Sequence, residues 1–288
     1  MTAEAADSTG FGSPGKGAGL RGTGSKRNRW IATFSTGIVA GLLAGLFGVG
    51  GGIIMVPALV YLVGLDQIRA HGTSLAAVTV LAVSSGLSYA LAGQIDWHLA
   101  VLLASGSVFG AWFGAKLLPS MNPRSAAIAF NVLLVVTALR MLIGGGDSGT
   151  HRSLTLWLSV ALVVAGALVG LLASLLGVGG GAVLVPLMVV GLGMPTAMAK
   201  GTSLAVIVFS SVVGTVGNRR HSNVDVSAAV MVGLSGVVFG FIGGQISLGL
   251  SDRVADITFA LLLLVVATKM AWDLRRDRAP RDGDLQPG

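Results

Sequence analysis

Two twenty-residue strings in this chain say nearly the same thing. GLLAGLFGVGGGIIMVPALV runs from Gly41 to Val60, and GLLASLLGVGGGAVLVPLMV from Gly170 to Val189. Each is apolar, breaks in its middle on a glycine cluster, and reaches a proline, Pro57 or Pro186. Glycine weakens a helix interior and proline interrupts it. Two apolar runs broken at equivalent places commit the chain to a duplicated fold with a pair of broken helices.

The duplication covers most of the sequence. At a spacing of 129 residues, Gly48, Gly50, Gly51 and Gly52 fall on Gly177, Gly179, Gly180 and Gly181. HGTSLA (His71–Ala76) falls on KGTSLA (Lys200–Ala205), and Asp96 falls on Asp225. After one inserted residue, Gly106, Gly110 and Gly114 match Gly236, Gly240 and Gly244. The first spacing then returns and sets Arg140 on Lys269.

Composition names the solvent. Of 288 residues, 53% are hydrophobic and only 11% charged, with a mean hydropathy of +0.84. Soluble domains carry about 25% charged residues. Several stretches approach ~20 residues with little or no charge, enough to cross a ~30 Å hydrocarbon core. The expected fold is therefore an all-α polytopic membrane protein, and a soluble protein with a large core is excluded. The chain has no cysteine, which rules out disulfides, thiol catalysis and cysteine-ligated metals. Its formal charge of +7 sits mainly in the tails and short loops, a pattern of membrane topology rather than nucleic-acid binding.

Five apolar segments are expected per half, near 30–49, 53–64, 73–93, 98–118 and 125–143, then 154–177, 182–193, 202–217, 226–249 and 254–272. The organisation follows: 1–29 a disordered basic cytoplasmic tail, 30–143 a first transmembrane repeat, 144–153 a linker, 154–272 a second repeat, and 273–288 a polar tail. The segments at 53–64 and 182–193 are too short to span alone at 1.5 Å per residue. An odd number of segments inverts the second copy. The loop at Asp96 lacks Lys and Arg, while that at Asp225 follows Arg219 and Arg220, which puts the two on opposite sides and both tails in the cytoplasm. The alternative is eight spans with parallel repeats.

Inverted repeats with broken helices point to a transporter with its site between the halves. A helix that begins inside the membrane offers unpaired N–H groups and a partial positive charge, which together suit an anion. The expected substrate-binding residues are Gly48, Gly50, Gly51 and Gly52 with Gly177, Gly179, Gly180 and Gly181. The second motif adds Gly72, Thr73 and Ser74 with Lys200, Gly201, Thr202 and Ser203. Its hydroxyls could bind a ligand or cap the start of an apolar helix. Lys200 reads as an anion attractor or as a solvated helix end. His71, its counterpart, is the candidate for proton coupling. The glycines also have a packing role, and those at 106–114 and 236–244 read as packing faces alone.

No Asp or Glu falls in the middle of a clear segment, which favours an anion over a cation. Asp96 and Asp225 read as helix caps, Asn131 as a helix–helix hydrogen bond, and Trp30 and Trp97 as interfacial anchors. Arg140 and Lys269 read as snorkelling side chains near segment ends. GVGGG lacks the Lys-Ser/Thr of a phosphate-binding loop. No catalytic constellation, cofactor or metal site is expected, and the chain does not read as an enzyme.

The paired strings, with HGTSLA and KGTSLA, resemble the sulfite exporter TauE/SafE family of bacterial membrane permeases over about residues 35–272. The resemblance implies ion-coupled transport of small anions across the plasma membrane, chiefly sulfite, sulfonates and related organosulfur or carboxylate compounds. An anion channel or a small-carboxylate transporter of the same fold is the alternative. The implied partners are a small anionic solute, protons as the coupling ion, and the bilayer.

Overall fold

The computed structural model describes residues 26–117, 123–143, 156–176, 180–220 and 223–276. The described residues are helical throughout, connected by short turns. The order is α1 (Lys26–Phe47), α2 (Gly52–Ala58), α3 (Gln67–Leu91), α4 (Trp97–Leu117), α5 (Pro123–Ile143), α6 (Leu156–Leu176), α7 (Gly181–Pro186), α8 (Thr196–Arg220), α9 (Val226–Gly249) and α10 (Asp252–Arg276). Each expected apolar segment overlaps one of these helices, several of which begin before it. Five of them hold stretches both long and apolar enough to cross a bilayer: Asn28–Phe47, Ile68–Leu91, Thr196–Arg219, Val226–Gly249 and Arg253–Trp272.

The surface is apolar and much of the interior is small and polar. Val230, Leu234, Val238, Ile242 and Ile246 point outward at helical spacing along α9, as do Val160, Val164 and Leu168 along α6. Inside lie Thr73, Ser74, Ser85, Ser88, Thr202, Ser203 and Ser211. In lipid, apolar side chains gain little by meeting each other, so small residues that let backbones approach become the packing surfaces. Glycines set those contacts. A Cβ on Gly41 would strike Gly236 of α9, and one on Gly45 would strike Gly240. Gly106 and Gly110 of α4 lie against Val163 and Ala167 of α6 in the same way. The glycines at 106–110 and 236–244 are thus packing faces, as their spacing indicates.

Helix directions follow from these pairs. Residue numbers rise together between α1 and α9 and between α4 and α6, so each pair runs parallel. Numbers run oppositely between α3 and α8: Leu75 lies against Gly214, Thr79 donates to Ser211 Oγ at 2.9 Å, and Gly86 lies against Leu204. Those two helices are antiparallel. Helices α5 and α10 are tied by Asn131, whose Nδ2 donates to the Ala267 carbonyl at 2.8 Å. That is the helix–helix bond its position suggested.

The two short helices continue past their prolines into single π turns, Leu59–Val63 and Leu187–Gly191. Proline lacks the N–H of a regular turn, and a widened turn follows it in both copies. Each run is closed alike, by Leu65 N–H on the Leu59 carbonyl and Met194 N–H on the Met188 carbonyl, at 3.0 and 3.1 Å. Left-handed Gly64 and Gly193 permit that closure.

The structure corrects one expectation. The GTS motifs do not begin helices, because α3 starts at Gln67 and α8 at Thr196, so Thr73, Ser74, Thr202 and Ser203 lie inside the helices and cap nothing. Asp66 caps α3, accepting from Arg69 N–H at 2.8 Å. The apolar run starts later than the helix because the first turns carry Gln67, Arg69 and His71, and hydropathy alone skips them. The expected caps at Asp96 and Asp225 are present: each carboxylate accepts an N–H at 3.0 Å, from Leu99 and Ala228.

Candidate functional site

The first glycine motif ends one helix and starts another within five residues. Gly48 N–H closes α1 on the Ala44 carbonyl at 2.9 Å. Gly48, Gly50 and Gly51 then adopt φ of +69°, +77° and +76°, and Gly52 opens α2. A residue with a Cβ is strained by roughly 1–2 kcal/mol in this left-handed region. Gly51 also lies under the Ala40 backbone, 2.5 Å from its carbonyl oxygen to an added Cβ. In the second motif Gly180 repeats the turn at φ +77° and Gly181 opens α7. Gly177 and Gly179 lie outside the described residues.

The two motifs meet. An added Cβ on Gly181 would stand 2.7 Å from the Val49 Cα, so the first turn of α7 rests on the backbone of the first motif. Gly50 faces Val78 of α3 and Ile207 of α8, at 3.1 and 3.3 Å from an added Cβ. Val78 and Ile207 are equivalent positions, 129 residues apart, so the GTS helices cross where the broken helices cross.

Helical spacing then places the rest. Lys200, Ser203 and Ile207 share one face of α8, and His71, Ser74 and Val78 share one face of α3. The α8 face is fixed at both ends: Lys200 lies against Gly48, 2.6 Å from an added Cβ to its own Cβ, and Ile207 lies against Gly50. Ser203 sits between them, opposite the glycine turn. Ser74 and Ser203 are fully buried, and neither hydroxyl has a hydrogen-bond partner among the described residues. A buried hydroxyl left unpaired costs on the order of 1–3 kcal/mol. Ser85 Oγ and Thr215 Oγ1 are unpartnered too, but Ser74 and Ser203 are the pair at equivalent positions, on the helix faces that carry Val78 and Ile207 to the crossing. His71 is half-buried, and its Nδ1 is likewise unpartnered.

Lys200 is the one charged side chain fully buried among the described residues, at 1% exposure. Its Nζ donates to Ser247 Oγ at 3.0 Å and sits 5.8 Å from the Phe259 ring centroid. An ammonium has three donors, so two remain. Tyr89, a fully buried phenol, donates to the Gly45 carbonyl at 2.8 Å. Lys200 is therefore not a solvated helix end.

The other GTS residues bind protein. Thr73 Oγ1 accepts from Asp225 N–H at 2.9 Å, and Thr202 Oγ1 accepts from Asp96 N–H at 3.0 Å. Gly72 lies under the Asn223 carbonyl and Gly201 under that of Gln94. Each half thus clamps the loop of the other over its GTS helix. Of the expected site residues, Lys200, Ser74, Ser203 and the glycine turns converge, while Gly72, Thr73, Gly201 and Thr202 hold loops beside them.

The sequence missed Asp256. It lies one turn inside α10, is half-buried, and accepts a hydrogen bond from Thr196 Oγ1. Its counterpart by spacing is Ala127. Its place within the expected 254–272 segment was the available signal.

Residues 9–141 and 162–287 match the family described as sulfite exporter TauE/SafE. A "Probable membrane transporter protein" of Xylella fastidiosa is 28% identical over 247 residues, covering 84% of this chain and 95% of that protein. One of Haemophilus influenzae is 28% identical over 253 residues, covering 81% and 95%. Another, of Bacillus subtilis, is 26% identical over 254 residues, covering 80% and 91%. No solved structure matches. The chain belongs to the sulfite exporter TauE/SafE family of membrane transporters.

Proposed function

We propose that this protein is a secondary transporter that moves a small anion across the plasma membrane by alternating access. Sulfite, an organosulfonate or a related oxyanion is the best candidate. The observation that carries the reading is the crossing itself: a fully buried lysine with spare donors, beside two buried hydroxyls without partners and two left-handed glycine turns. An intramembrane ammonium is costly unless it has a counter-charge and polar partners. An oxyanion brings both. The first N–H groups of a helix have no partner within it, so Gly51, Gly52 and their equivalents Gly180 and Gly181 add donors.

The halves are inverted repeats, one five-segment unit over 30–143 and one over 154–272. The antiparallel run of the equivalent helices α3 and α8 supports this, as does the reciprocal clamping by Thr73 and Thr202. Ten crossings then bring both tails, 1–29 and 273–288, to the cytoplasm. His71, on the α3 face equivalent to that of Lys200, is the candidate proton carrier.

The test is flux in liposomes, with sulfite, methanesulfonate, taurine, sulfoacetate, lactate and sulfate as solutes, with and without a pH gradient. Saturable flux of an oxyanion, driven uphill by the gradient, is expected. Lys200→Gln should reduce anion affinity by about tenfold or more, in line with losing a charge-assisted contact of roughly 1.5–3 kcal/mol. Flux that neither saturates nor accumulates would make the protein a channel. No flux for any anion would overturn the reading.

A further inference from the structure

The repeats differ at several positions around the crossing, and four of the differences fall in one cluster. Lys200 replaces His71, Asp256 replaces Ala127 and Thr196 replaces Gln67. Ser247 replaces Leu117, allowing for the inserted residue before it. All four departures meet in space. Lys200 Nζ holds Ser247 Oγ at 3.0 Å and lies 5.8 Å from the Phe259 ring centroid. Phe259 and Asp256 are three apart on α10, one turn on a shared face. Thr196 and Lys200 are four apart on α8, again on one face, and the Thr196 hydroxyl donates to Asp256. The Thr196 bond and the Phe259 spacing thus place Asp256 on the face of α10 that meets the Lys200 face of α8.

An alternating-access carrier that binds its anion through a buried cation has a difficulty in its empty state. The cation must cross the occluded intermediate without its substrate, and an uncompensated buried charge costs several kcal/mol. A carrier lacking an internal counter-charge therefore exchanges anions readily and returns empty slowly.

We propose that Asp256 is the internal counter-ion of Lys200, balancing its charge in the empty carrier and yielding it to the incoming anion. This rests on the transporter reading above. Asp256 does not touch the substrate; it acts through Lys200, with Thr196 holding its carboxylate in place. The anion and Asp256 compete for one ammonium. The cluster occurs in the second repeat alone and equips that repeat for net movement.

Asp256→Asn, measured on the full chain in liposomes with labelled methanesulfonate, separates the two halves of the cycle. Removing the competitor should tighten methanesulfonate binding by about 5- to 150-fold, the usual range of coupling between two linked sites. Net efflux into anion-free buffer should fall, and methanesulfonate exchange should continue, raising the exchange-to-net ratio by about tenfold or more. Equal affinity and an equal ratio in Asp256→Asn and wild type would overturn the counter-ion while leaving the transporter standing. A wild type that moves no anion would overturn both.

A thermal double-mutant cycle covers the case in which Asp256→Asn folds poorly. Adding Lys200→Gln should restore much of the stability lost in Asp256→Asn, because the two charges are then removed together. Additive losses in that cycle would show the charges independent and would also overturn the proposal.

Discussion

Ser203 offers a sharp test at the scale of one residue, because two readings of it differ in what its loss does to anion binding. Its hydroxyl is fully buried and unpartnered. If burial were its whole role, Ser203→Ala would remove an unpaired polar atom and lose nothing. As part of the anion site, the same substitution raises the melting temperature of the ligand-free protein and weakens its stabilisation by anion. The expected gain is about 1 kcal/mol, the low end of the cost of an unpaired buried group. The expected loss in affinity is about tenfold, from a hydrogen bond to a charged partner. Melting curves in detergent with and without methanesulfonate read both. Equal anion-dependent shifts in Ser203→Ala and wild type would remove the residue from the site. Ser203 and Ser74 were legible in the sequence because the repeat printed them twice. Asp256 was not, because its equivalent is Ala127 and comparison of the halves passes over it. The burial of Lys200 was also hidden, since its position two residues before the apolar run made it look terminal.

Among the helices, the reciprocal clamp decides how the halves are held. Thr73 and Thr202 each accept a backbone N–H from the other half's loop. Replacing either by Val leaves that N–H without its partner, at a cost of about 1–3 kcal/mol. Thr73→Val and Thr202→Val should each lower the melting temperature, and by similar amounts, because the two bonds are equivalent and 3.0 Å or shorter. The double variant should lose close to the sum, since the clamps sit at separate loops. A large effect from one and none from the other would show that the clamps are not equivalent. The existence of every helix was legible as an apolar run, and both glycine breaks were legible as interruptions. Helix starts were not. Asp66 and Thr196 precede their apolar runs by several polar residues, and the true first turn is set by capping and burial rather than by hydropathy. The GTS residues consequently moved from helix caps to helix interiors, and that shift turned the threonines into loop clamps.

For the molecule as a whole, the question is the relative orientation of the halves, and the sequence supplies an unusually clean probe. The chain contains no cysteine, so a single introduced one reports without background. His98 and Ser227 are equivalent positions at the starts of α4 and α9, and both are exposed. Inverted repeats put these two sites on opposite sides of the membrane; parallel repeats put them on the same side. The directions of the helices favour the first. Helix α9 runs parallel to α1, α4 runs parallel to α6, and α3 opposes α8, so three pairs of equivalent helices point in opposite senses if the short connection from α3 to α4 reverses the chain. In intact cells, a membrane-impermeant maleimide should therefore label only one of His98→Cys and Ser227→Cys. With Lys and Arg absent from the loop before α4, His98→Cys is the one expected to be labelled from outside. Permeabilised cells should label both, which controls for folding and access. Labelling of both sites in intact cells would replace inversion with the parallel arrangement. The two glycine turns would then open toward the same face, and no rocking of one half against the other could present the anion alternately to the two sides.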